Sequence, residues 1–242
     1  IVIPMLQLLW WSLIAKQTSV MRRFASIMTN TLFVGVLVTV FVIISGILIG
    51  NLHRLKPGFL SKIYSRIVIL GYSIPASIIA IAVFVSFVAL DRSLAGIYNT
   101  LGLKSLFLSG SVIVLVFALT IRFMAIGYNN IESGFSKMGK NYYEASKLLG
   151  RGEWQTFYYV DYPMLKPAFV SAAILTFVDV IKELPLTLIL RPFNFDTLAT
   201  RVFTYAGDEM IHEASVYSLL IVGVSMIALI ILMRIKNGVK HD

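Results

Sequence analysis

SIMTNTLFVGVLVTVFVIISGILIGNL, residues Ser26 to Leu52, is a run of 27 residues without one Asp, Glu, Lys or Arg. An α-helix rises about 1.5 Å per residue, so about 20 apolar residues cross the hydrocarbon core of a bilayer. The run exceeds that length and is far too long for a β-strand. It also lacks the polar alternation of a barrel strand. In hydrocarbon every backbone N–H and C=O must be bonded within the protein, which a helix achieves by itself. The stretch therefore predicts a membrane-spanning helix. Five more apolar segments read the same way, at residues 1–14, 67–90, 109–128, 163–190 and 214–233. The first begins at Ile1 rather than Met, with no basic region before it and no small-residue cleavage site after it. It reads as a truncated span of a longer chain and not as a signal peptide. The expected fold is all-α: a polytopic bundle of about six spans, with residues 1–242 as one transmembrane domain.

Composition agrees with lipid as the solvent. Of 242 residues, 58% are hydrophobic and 14% are charged, whereas soluble domains carry about 25% charged residues. The net charge of +9 would suggest nucleic acid in a soluble protein, but here the Lys and Arg sit between the apolar segments, as in cytoplasmic loops. No nucleic-acid partner is expected; membrane lipid is. The absence of Cys excludes disulfides and thiolate metal sites. His53, His212 and His241 lie too far apart in sequence to suggest a metal site, and no cofactor is expected in this chain.

The basic residues orient the chain. Arg234, Lys236 and Lys240 place the C-terminus inside. Alternation then puts the acidic connection Arg191 to Glu213 outside and the connection 129–162 inside. Asp91, Arg92 and Lys104 fall outside, and Arg54, Lys56, Lys62 and Arg66 inside. Lys16, Arg22 and Arg23 fall outside and oppose the rule. Gly46 and Gly50, four residues apart, allow two helix backbones to approach closely. Pro75 and Pro185 lie within apolar segments, and each is expected to kink its helix by removing a backbone donor.

The inside connection 129–162 is polar but patterned. Glu144 to Leu149 favours a helix, Gly150 to Gly152 ends it, and an amphipathic stretch with Trp154, Phe157, Tyr158 and Tyr159 follows, closed by Pro163. This predicts helix, turn and second helix on the cytoplasmic face, suited to docking a soluble partner. Glu144-Ala145-Ser146, then Gly150 at six positions, Val160 at sixteen and Pro163 at nineteen after the Glu resemble the coupling-loop motif of binding-protein-dependent ABC importer permeases. Ser146 and Asp161-Tyr162 depart from that pattern. Val178-Asp179-Val180-Ile181-Lys182-Glu183-Leu184-Pro185, followed by Leu190-Arg191-Pro192-Phe193-Asn194-Phe195-Asp196-Thr197-Leu198, resembles the second half of ferric-iron ABC permeases.

The resemblance implies a type I importer permease fold, multi-pass in the bacterial inner membrane, that takes ferric iron from a periplasmic binding protein. It implies ABC ATPase subunits and a second six-span permease half as partners. ATP and Mg²⁺ would belong to the ATPase, so this chain would not be an enzyme. Glu144, Ala145, Ser146, Leu149, Gly150 and Pro163 would carry the coupling. Thiamine, a polyamine or an oxyanion are the alternative cargoes, and a membrane-embedded enzyme is the alternative class.

Asp179, Lys182 and Glu183 are expected within the fifth span. A mid-membrane charge costs about 2.5–3.5 kcal/mol on insertion scales, so these groups should face protein or water. The i, i+4 spacing predicts Asp179 and Glu183 on one helix face. Two roles remain open: a structural pair with Lys182 or Arg122, or a carboxylate step on an ion path, since ferric iron prefers hard oxygen ligands. Gly134 to Asn141 nearly matches a phosphate-binding loop, but Asn141 stands where a Ser or Thr should hold Mg²⁺, and no strand precedes it.

Overall fold

The computed structural model describes residues 2–16, 23–55, 58–102 and 106–238. Of the residues used above, Ile1, Arg22, Lys56, Lys104, Lys240 and His241 lie outside the described residues. No strand occurs among the described residues. The helices are α1 Val2–Ile14, α2 Phe24–Leu55, α3 Phe59–Ser73, α4 Ala76–Leu101, α5 Val112–Met138, α6 Asn141–Leu148, α7 Glu153–Thr156, α8 Tyr162–Ile181, α9 Pro185–Leu190, α10 Leu198–Gly207 and α11 Ile211–Gly238. A π turn, Phe157–Asp161, joins α7 to α8. Among the described residues, five helical stretches are long and apolar enough to cross a membrane: Phe24–Leu55, Ala76–Thr100, Val112–Met138, Glu153–Ile181 and Ile211–Ile235. Val2–Ile14 is apolar but shorter.

Both prolines expected to kink a helix instead start one. α3 ends at Ser73, and Pro75 stands at the N-cap of α4, where its missing N–H would have had no helical acceptor in any case. Pro185 is the first residue of α9. Pro167, by contrast, lies inside α8. A second correction follows from the break at Pro75. The third apolar segment is displaced towards the C-terminus, so Asp91 and Arg92 are helical rather than part of a connection. Asp91 is fully buried. It accepts from Tyr98 Oη at 2.9 Å, from the Leu108 and Ser109 N–H groups at 3.0 and 2.8 Å, and from Ser109 Oγ at 2.6 Å. Hydropathy reads such a carboxylate as a loop residue because it cannot see the donors that satisfy it.

The residues form two compact units. In one (Ile1–Val38, Ile74–Thr120, Val178–Ile227), Ile27, Leu198, Tyr205, Ala214 and Tyr217 make a buried cluster, and α9 packs against α4. In the other (Thr39–Ser73, Ile121–Phe177, Ala228–Asp242), Ile131, Phe135, Met138, Leu165, Phe169 and Ala172 make the core. Helix contacts in lipid lack a hydrophobic drive and depend on close approach. A Cβ at Gly46 would lie 2.8 Å from Ile131 Cδ1, and one at Gly50 3.1 Å from the Phe135 ring. The pair thus lets α2 lie against α5.

Candidate functional site

The connection between α5 and α8 folds as a helix–turn–helix. Gly139, at φ +68°, ends α5. After α6, Gly150 adopts φ +79°, the left-handed region that glycine enters without a Cβ penalty. Gly150 N–H donates to Lys147 O at 2.9 Å and Arg151 N–H to Ser146 O at 3.2 Å, the paired bonds of a Schellman cap. Gly152 N–H then donates to the Gln155 side chain at 3.1 Å as α7 begins. The two arms are tied by Ser146, the buried residue of α6, whose hydroxyl meets that of buried Thr156 at 3.0 Å.

Pro163 was expected to close the second arm. Instead, the helix runs on from Glu153 to Ile181. The π turn is the reason: Tyr162 N–H bonds Phe157 O, five residues back, so the widened turn relieves the clash a proline ring makes in a regular helix. Glu144, Ala145 and Pro163 are exposed. So are Leu148, Leu149 and Trp154, at 89%, 81% and 84%.

Asp161, at the end of the π turn, is buried and held by Arg54 from the last turn of α2. Nη1 donates to Oδ1 at 3.0 Å and Nη2 to Oδ2 at 2.7 Å, with both side chains at most 5% exposed. Nη2 also reaches Asn51 Oδ1 at 3.2 Å. The guanidinium lies over the rings of Phe135 in α5, at 4.6 Å, and Tyr143 in α6, at 5.3 Å. Sequence reasoning missed this pair. Asp161 stood out as a departure from the motif, but nothing in the sequence selects Arg54 from the other basic residues.

The segment after α8 corrects a second expectation. α8 ends at Ile181, so Asp179 and Glu183 do not share a helix face. Asp179 pairs with Lys182 at 2.6 Å, and the Lys182 side chain is 56% exposed. Glu183 is buried and turns to the start of α9, where its carboxylate accepts from Leu186 N–H at 3.1 Å and Thr187 N–H at 3.3 Å. A carboxylate at a helix N-terminus satisfies donors that have no helical partner. Arg122 lies beside the rings of Tyr72 and Phe123, each at 5.9 Å. Beyond α9, Asp196 pairs with Arg191 and, at 3.7 Å, with Arg201. Thr197 caps α10, and Asn30 and Thr31 of α2 bond the backbone of Asp196 and Leu198.

A cleft of about 600 Å³ lies between α5 and α8, lined by Asn129, Asn130, Ser133, Lys137, Pro167 and Ser171 among others. The near-match to a phosphate loop falls beside it. Gly134 to Met138 are helical, and Gly134 faces Ala168 and Leu165, so their N–H groups are committed to the helix and not free for phosphate.

Residues 42–238 match the family model described as "Binding-protein-dependent transport system inner membrane component". The Fe(3+)-transport system permease protein FbpB 2 of Haemophilus influenzae is 20% identical over 238 residues, which cover 96% of this chain and 44% of that protein. The molybdenum transport system permease protein ModB of Azotobacter vinelandii is 30% identical over 78 residues, 31% of this chain and 34% of that protein. The matched stretch spans less than half the length of each of these curated relatives. Among solved structures, a chain of the MetNI methionine ABC transporter in an inward-facing conformation superposes with a TM-score of 0.64 at 19% identity, covering 87% of this chain and 93% of that one. The match to the family model covers most of the sequence, and the helical bundle has the fold of an importer permease: the chain belongs to the family of binding-protein-dependent transport system inner membrane components.

Proposed function

We propose that this chain is a permease component of an ATP-driven importer and that its cargo is ferric iron. The helix–turn–helix at 141–163 is read as the dock for an ABC ATPase subunit on the cytoplasmic side, with the C-terminus on that side too. ATP is hydrolysed on that subunit, and a periplasmic binding protein and a second permease half complete the machine.

The observation that carries this reading is the exposed turn. Leu148, Leu149 and Trp154 stand almost fully in solvent around Gly150, on an element locked internally by the Ser146–Thr156 pair. A rigid element that exposes a group of large apolar side chains marks an interaction surface. The ferric assignment is supported by the relation to FbpB 2 and by the resemblance of the 178–198 segment. The similarity to ModB favours an oxyanion as the second reading.

Uptake of labelled ferric iron, compared with molybdate, thiamine and putrescine, in cells with and without the gene tests the cargo. Iron uptake that depends on the gene is expected. Gene-dependent molybdate uptake with unchanged iron uptake would replace the first reading by the second.

A further inference from the structure

We infer that Arg54 is a positioning residue: it joins the end of α2 to the docking element, so that displacement of that element is passed to α2 as well as to α8. This rests on the reading of 141–163 as the ATPase dock. The chain itself already connects the element to α5 through Gly139 and to α8 through the π turn. α2 has no such covalent link, since Arg54 and Asp161 are 107 residues apart.

One side chain closes that gap. The Arg54 guanidinium bonds Asp161 in the π turn and covers Phe135 of α5 and Tyr143 of α6. It therefore touches three segments that meet at the base of the docking element. The planar fork bonds both carboxylate oxygens, which fixes direction as well as distance. Burial matters for the same reason. Removing two charges from water largely cancels their attraction, so such a pair contributes little net stability, and fixing one geometry is a use it can still serve. The element beyond it is stiff, because Ser146 and Thr156 bond across its two arms and Gly150 caps the first. A push on α6 is thus delivered to Arg54 rather than absorbed in the turn.

The test uses the absence of Cys. Spin labels at Leu52→Cys and Tyr158→Cys, both at exposed positions, report the α2-to-dock distance by pulsed electron resonance. The parent should show one narrow distance that stays put when the assembled complex is trapped with ATP and vanadate. Arg54→Gln with Asp161→Asn removes both charges, so no buried charge is left uncompensated. It should broaden the distance and make it shift on trapping. Arg54→Lys, which keeps the charge but loses the fork, should retain a single peak but respond to trapping. Identical narrow distances in the parent and the double variant, before and after trapping, would overturn the joint.

If no ATPase subunit assembles with the parent, the docking reading has failed. The nucleotide-free distances in the solubilised chain then still decide the joint: a broadened distance in the double variant supports it, and an unchanged one removes it.

Discussion

Beside Pro163 and beside Pro185 the regular α-helix gives way and a carboxylate is buried, and the two places satisfy it in opposite ways. Before Pro163, Asp161 finds its partner 107 residues away in Arg54. Before Pro185, Glu183 finds its partners three and four residues ahead, on the backbone of α9. The first arrangement ties segments together across the fold, and the second finishes a helix end. Removing either carboxylate should therefore damage different things. At 161 the loss is of long-range order; at 183 it is of one local turn.

The largest expected effect is at the long-range pair. Asp161→Ala leaves Arg54 buried and uncompensated, and breaking a buried pair from one side costs about 3–5 kcal/mol. Unfolding of the detergent-purified protein should shift to clearly lower denaturant. Arg54→Met combined with Asp161→Leu should recover most of the loss. A single variant as stable as the parent would erase the contrast drawn here.

A smaller and more local loss is expected at the cap. Glu183→Ala leaves the Leu186 and Thr187 N–H groups without that acceptor, at a cost of about 1–3 kcal/mol for buried donors. Hydrogen exchange should rise at residues 185–188 and stay unchanged at 157–161. Glu183→Gln keeps an acceptor oxygen and should recover part of the protection. Exchange rising equally at both places would mean that the two regions are not independent.

The smallest effect belongs to the third carboxylate. Asp179 pairs with a Lys182 side chain that is more than half exposed, and exposed pairs contribute about 0.2–1 kcal/mol. Asp179→Asn should unfold close to the parent, and iron uptake per assembled complex should be unchanged. A sharp fall in uptake at normal abundance would give Asp179 a place on the ion path instead.

The same contrast separates what could be read early from what could not. The turn at Gly150 was legible because its cause is local: a helix-favouring run, then a residue that enters positive φ freely, then a second amphipathic run. The break at Pro185 was legible only as a disturbance. Proline forbids a regular continuation, but whether the helix bends or restarts depends on what caps the new start, and here Glu183 does. Asp91 was misplaced for a related reason. A buried carboxylate and a loop carboxylate look alike in hydropathy, and they differ only in the donors that reach them.

The sequence by itself determined that the chain is built of long apolar helices, because length and apolarity are properties of each segment alone, but not where the third begins, which the break at Pro75 decides. It also determined the turn at Gly150, whose capping bonds run over three to five residues, and it offered a glycine pair at which some second helix could approach. Only the tertiary structure decided that Asp161 belongs to Arg54, that Ser146 answers Thr156 and that Glu183 serves α9 rather than Asp179's face. Each of these depends on which donor and acceptor arrive at one point in space. A buried charge must be matched wherever the fold places it, and a one-dimensional pattern states the need for a partner without naming the partner.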